Sequence, residues 1–177
     1  KKLLRPFAAD NATHIMACSK HAAENIFGKN AGKAIILPDA IELDKFRSDE
    51  NMYAAARKKL GLRGKAVLFV GRFVFQKNIP LLVHAFAKAA QKEDATLVLI
   101  GDGEERHSII SLINELNIND KVRLIAPSDP SEWYKAADVF CLPSRYEGLG
   151  MAALEAQAAG LKCLLSQNVP KETDVTG

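Results

Sequence analysis

The chain is poor in cysteine: three in 177 residues, Cys18, Cys141 and Cys163. They are odd in number, far apart, and each sits in an apolar run. That excludes a disulfide framework or a cysteine-rich zinc site and fits reduced core thiols. No apolar run is long enough to cross a membrane, and no signal-peptide pattern is present. No stretch reads Gly-x-x-x-x-Gly-Lys-Ser/Thr, which argues against a P-loop NTPase. Charge of one sign is not in excess either. The 24 basic and 21 acidic residues are interspersed, with a net charge of +3, so neither nucleic acid nor an anionic membrane is called for. Arg57-Lys58-Lys59 reads as a solvated helix end, where cations suit the dipole. His14, His21, His84 and His107 have no partner at triad or metal spacing. Internal repeats and low-complexity tracts are absent.

What is present is an alternation of short apolar runs and helical stretches. The runs are 14–18, 34–37, 66–70, 96–100, 122–125, 139–142 and 162–165. Helices are expected between them: one capped by Ser19 and ending at Gly28, and one capped by Ser48 and closed by Gly61. Three more follow, from Asn78-Ile79-Pro80 to about Gln91, from Gly103 to about Leu116, and over 131–137. Continuously apolar strands alternating with helices predict an α/β domain, a doubly wound, Rossmann-like parallel sheet covered on both faces. Residues 1–12 show little periodicity and read as linker or as the remnant of a preceding domain; 13–177 read as the domain itself. The chain opens Lys1-Lys2 without a methionine, which suggests a piece of something longer.

The most informative stretch is CLPSRYEGLGMAALEAQAAG, from Cys141 to Gly160. Pro143 and Ser144 stop a strand. A turn bracketed by Gly148 and Gly150 follows, then a helix over 151–159 closed by Gly160. The backbone N–H groups of Gly148, Leu149 and Gly150 at a helix start can point at a phosphate. Glu147 precedes the helix and Glu155 comes eight residues later, beside Met151, Ala152, Ala158 and Ala159 on the helical wheel. Glu155 either reaches solvent from the flank of that face or is bonded by something.

Other loops leave the carboxyl ends of the same strands and should gather on one sheet edge. Gly71, Arg72 and Lys77 follow the third strand. They are two solvated cations, or a pair able to neutralise a diphosphate. Gly101-Asp102-Gly103 follows the fourth, but Arg106 stands where a dinucleotide fingerprint needs its third glycine. A structural turn and a ligand contact are equally open there. Ala126 and Asp129 follow the fifth, and Asp129 is read as a cap for the helix at Ser131.

Pro143-Ser144, then Glu147-Gly148, then Glu155 and Ala156 before Gly160 resemble the signature of retaining, nucleotide-sugar-dependent glycosyltransferases of group 1 (family 4 type). Those enzymes have two facing Rossmann-like domains, the GT-B architecture. The resemblance runs from about Thr13 to the end and implies a truncated C-terminal, donor-binding domain. It implies that Glu147 is catalytic and lies against the donor sugar, and that Glu155 bonds the ribose. Arg72, Lys77, Gly148, Leu149 and Gly150 would hold the diphosphate. Gly71, Gly101, Asp102 and Ala126 would belong to donor-site loops; Ala126 stands where the family often has glycine. Asp39 stands where the family often has Asn, which leaves the turn intact and puts any ligand role in doubt.

The wording looks closest to bacterial exopolysaccharide or capsule glycosyltransferases. The implied partners are a nucleotide sugar, UDP-sugar before GDP-sugar, and a glycan or lipid-linked acceptor met through an N-terminal domain. No cofactor and no metal are expected: the cations take the phosphate charge, and no Asp-x-Asp pair of the metal-dependent single-Rossmann class occurs. The intact enzyme would be a cytoplasmic hexosyltransferase, with the inner face of the membrane open to it. The family's catalytic His lies in the other domain, so this piece alone should transfer nothing. Two rivals stand: a non-catalytic nucleotide-binding module, and an NAD-dependent Rossmann domain.

Overall fold

The computed structural model describes residues 9–176. Most of the stretch read as linker, residues 1–8, lies outside them. At its described end, Asp10 accepts a 2.6 Å hydrogen bond from Asn30.

The elements run in this order: β1 (Met16–Ala17), α1 (Lys20–Phe27), β2 (Ile35–Ile36), α2 (Leu43–Phe46), α3 (Glu50–Leu60), β3 (Lys65–Val70), α4 (Ile79–Ala89) and β4 (Ala95–Ile100). Then come α5 (Arg106–Glu115), β5 (Val122–Ile125), α6 (Ser131–Ala136), β6 (Val139–Leu142), α7 (Met151–Ala158) and β7 (Lys162–Leu165). Five strands form one parallel sheet in the order β5-β4-β3-β6-β7. The apolar strands are buried as a two-sided parallel sheet requires: in β4, Leu97, Val98, Leu99 and Ile100 are all at most 2% exposed. The right-handed crossover rule puts α4 and α5, which pack together, on one face of the sheet. It puts α6, packed on α3, and α7 on the other.

Three expectations are corrected. The seven apolar runs do not share a sheet: β1 and β2 pair with each other in a separate two-stranded parallel sheet over Ala17, Ala22 and Ala23. Each is only two residues long, too short to join the main stack. The cap of α3 is Asp49, not Ser48; its carboxylate accepts the Met52 N–H at 2.8 Å. Arg57 is not a solvated helix end. Its side chain is 14% exposed and its guanidinium lies 3.0 Å from Asp138, which also accepts the Ala66 N–H at 2.8 Å and the Tyr53 hydroxyl at 3.1 Å. This cluster ties α3 to the amino ends of β3 and β6, the edge away from the glycine loops. Burial pushes the Asp138 carboxyl up, but the Ala66 N–H, Tyr53 and Arg57 together hold it below the usual range. The helix α2 was not foreseen.

The strand order has a consequence for the site. From β3 the chain steps to β4 and β5 on one side; it then crosses back so that β6 pairs with β3 on the other. The order therefore reverses between β3 and β6. In such sheets the crevice outside the carboxyl ends at that reversal is where ligands bind.

Candidate donor site at the reversal of strand order

Two loops leave the reversal point: 71–78 after β3, and 143–150 after β6. They are stitched together. The Arg145 N–H donates to the Gln76 carbonyl at 2.8 Å, the Gln76 amide to the Tyr146 carbonyl at 2.9 Å, and the Arg145 guanidinium to Asn78 at 2.9 Å. Arg145 also stacks over Phe75, 4.3 Å from the ring centroid.

Inside this stitching lies Glu147. The sequence put Lys77 against a diphosphate and Glu147 against a sugar; the structure brings the two together. Lys77 Nζ is 2.5 Å from Glu147 Oε1, which also accepts the Ser144 hydroxyl at 2.6 Å, while Gln76 reaches Oε2 at 3.3 Å. Ser144 is fully buried and the Glu147 side chain is 7% exposed. A buried carboxylate is tolerable only with a counter-charge and donors for its remaining lone pairs, and all of these are present. Arg72 is exposed, with no side-chain partner among the described residues. It is the cation left available at this edge.

The glycine turn is pinned by its carbonyls. The Ser19 hydroxyl, 1% exposed, donates to the Gly148 carbonyl at 2.6 Å, and Thr173 donates to the Leu149 carbonyl. Ser19 simultaneously caps α1 by accepting the Ala22 N–H at 2.9 Å. Among the described residues, no acceptor takes the N–H groups of Gly148, Leu149 or Gly150. Gly150 starts α7 in the left-handed region, φ 81°, where a side chain would be strained. Pinned carbonyls and open amides at a helix start are an arrangement that can accept an anion.

Glu155 lies one face further along α7, half-buried. It does not simply drift to solvent: the Tyr134 hydroxyl is 2.9 Å from its Oε2. Burial raises the Glu155 carboxyl above the usual carboxylate range, with the Tyr134 bond and Lys45 opposing.

Gly101-Asp102-Gly103 proves to be built into the scaffold. A Cβ on Gly101 would stand 1.9 Å from the Gly71 carbonyl oxygen. Asp102 turns inward on its own loop, accepting the Gly103 N–H at 2.9 Å through its side chain and the Phe73 N–H at 2.8 Å through its carbonyl. Gly71 is thus the other half of that close approach. Ala126 is exposed at the carboxyl end of β5. Asp129 accepts the Ser131 N–H at 3.0 Å, but the cap position of α6 is Pro130, so Asp129 flanks the cap and does not form it; it pairs with Lys45 at 3.2 Å.

Sequence reasoning missed Ser19 as a loop anchor, Gln76 and Ser144 as partners of Glu147, and Tyr134 behind Glu155. Only Tyr134 carried a signal: a tyrosine on a short packed helix needs an acceptor for its hydroxyl. A cavity of about 500 Å³ opens beside Arg145 and Tyr146, lined also by His21, Asn25 and Lys171; neither Arg72 nor Glu155 lines it.

The chain as a whole resembles known proteins in sequence and fold. Residues 53–176 match the family Glycosyl transferases group 1. The chain is 35% identical over 145 residues to the UDP-Gal:alpha-D-GlcNAc-diphosphoundecaprenol alpha-1,3-galactosyltransferase of Escherichia coli, covering 76% of this chain and 36% of that protein. Its fold overlays that of sucrose-phosphate synthase from Thermosynechococcus elongatus with TM-score 0.82 and 29% identity, over 95% of this chain and 44% of that one. HepE of Anabaena, solved with UDP-glucose, gives TM-score 0.81 at 18% identity, over 95% and 48% of the two chains. The chain thus spans about a third of that curated relative and less than half of those solved chains. The sheet order, the glycine turn and the match over 53–176 agree: the chain is a GT-B Rossmann-like domain and belongs to the Glycosyl transferases group 1 family.

Proposed function

We propose that this chain is the donor-binding domain of a retaining glycosyltransferase that uses a nucleoside diphosphate sugar. The observation that carries the reading is the open row of amides at Gly148, Leu149 and Gly150, on the loop after β6, with Arg72, unpaired among the described residues, on the neighbouring loop after β3 at the same reversal point. The amides, Arg72 and Lys77 hold the diphosphate and stabilise it as it leaves with the bonding electrons of the glycosidic bond. Lys77 then serves two anions, the diphosphate and Glu147. Glu147, held rigidly by Ser144 and Gln76, faces the sugar. Glu155 takes the ribose, and Ala126 borders the base. No metal is assigned, because Arg72 and Lys77 supply the positive charge. The domain runs over 13–177, and the acceptor side comes from the remainder of the protein, so the domain alone transfers nothing.

UDP-sugar is favoured as donor. The Escherichia coli relative is named for UDP-Gal, and HepE was solved with UDP-glucose. A glycan or lipid-linked acceptor, in exopolysaccharide or capsule synthesis at the cytoplasmic face of the membrane, fits the same relative, whose named acceptor is a diphosphoundecaprenol-linked sugar. The NAD reading loses its support because Gly101 and Gly103 are consumed in backbone packing against residues 71 and 73.

The test is the melting temperature of the chain with UDP, GDP, ADP and NAD, in parent and Glu155→Ala. A ligand at about 100 times its Kd adds roughly 2.7 kcal/mol, a shift of a few degrees at this size. A shift with UDP that shrinks in Glu155→Ala is expected. A shift with NAD alone overturns the reading.

A further inference from the structure

Glu155 is held from behind by a residue with no part in the reading above. Tyr134, in α6, is fully buried. Its ring is clamped edge-on by Phe46, with centroids 5.6 Å apart, and tilted against Phe140 at 5.9 Å. The clamp fixes where the hydroxyl goes: 2.9 Å from Glu155 Oε2 and 3.0 Å from the Ala152 carbonyl. A phenol has one proton for these two acceptors. The Ala152 carbonyl lies inside α7, where the helix supplies a donor, and the carboxylate is the stronger acceptor because it is charged. The proton therefore goes to Oε2. Among the described residues no donor reaches the other oxygen, Oε1.

A buried tyrosine hydroxyl needs a partner, and the helical carbonyl alone would have satisfied it. Aiming it at a carboxylate has a further effect: it removes rotational freedom from a half-exposed, rotamer-rich side chain before any ligand arrives. We propose that Tyr134 is a positioning residue. By anchoring Oε2 of Glu155 it presents Oε1 to the ribose hydroxyls of the nucleotide. This rests on the assignment of the ribose to Glu155. Phe46, whose ring meets Tyr134 edge-on, places α2 in the same device.

The experiment is calorimetric titration of UDP and of 2′,3′-dideoxy-UDP into the chain, in parent, Tyr134→Phe, Glu155→Gln and the double variant. Phenylalanine keeps the ring and its packing. Tyr134→Phe should weaken UDP by about three- to tenfold, the range for one ordinary net hydrogen bond, and leave the dideoxy ligand unchanged. The double variant should be no weaker than Glu155→Gln. Equal weakening of both ligands, or additive effects in the double variant, makes Tyr134 a packing residue and overturns the proposal; general damage to the fold gives that same equal weakening. A Glu155→Gln protein that still prefers UDP to the dideoxy ligand by the parent's factor overturns the ribose assignment itself. So does a parent that binds no UDP.

Discussion

Lys77 and Glu147 form an ion pair 2.5 Å long whose side chains are 15% and 7% exposed, between two loops that meet only because β6 returns to lie beside β3. Removing one member leaves the other charge buried. Lys77→Ala should destabilise the chain by about 3 kcal/mol in urea unfolding. Lys77→Ala with Glu147→Gln should recover a large part of that, since the lone carboxylate is gone; strict additivity would mean that the pair is not coupled.

The glycines divide into two kinds that a substitution scan separates. Gly101→Ala forces a Cβ to within 1.9 Å of a backbone oxygen, so it should cost several kcal/mol or prevent folding. At Gly148 the added Cβ would meet Cys18 Sγ at 3.7 Å, an ordinary contact. Gly148→Ala should melt within a few degrees of the parent, checked by calorimetry.

Asp138 gives the fold an acid-labile element. Its folded carboxyl is held below the ordinary 3.8, so its stabilisation is complete above that pH and is lost as pH falls through the lower folded value. Asp138→Asn should therefore lose about 2 kcal/mol at pH 7. The gap from parent should close as unfolding is followed downwards from pH 3.8. A constant gap across that window contradicts the assignment.

Glu155 has the opposite sign. Burial raises its carboxyl, so ionisation at neutral pH opposes folding, and the group favours the folded chain only at acid pH. Glu155→Gln should melt higher than the parent at pH 7 while binding UDP more weakly. A variant that loses stability there would show that the Tyr134 bond outweighs burial.

Much of this was legible before the structure. The runs at 122–125, 139–142 and 162–165 became strands with those bounds, because a continuously apolar stretch between breakers has few other solutions. Gly61 and Gly160 close helices with positive φ, as placed. The failures are non-local. Nothing near residue 16 says that two apolar residues will pair apart from the main sheet. The choice of Asp49 over Ser48 turns on one residue of register. At the site, the residue types were readable but their partners were not: that Lys77 meets Glu147 depends on a strand crossing 70 residues away.

The Ser19–Gly148 bond spans 129 residues. A ribosome delivers Ser19 early and the glycine turn late. Until both ends of that span are present, the hydroxyl lacks this acceptor and the turn lacks this anchor. Anchoring of the turn is therefore a long-range event that needs both β6 and the turn in place beside the α1 segment.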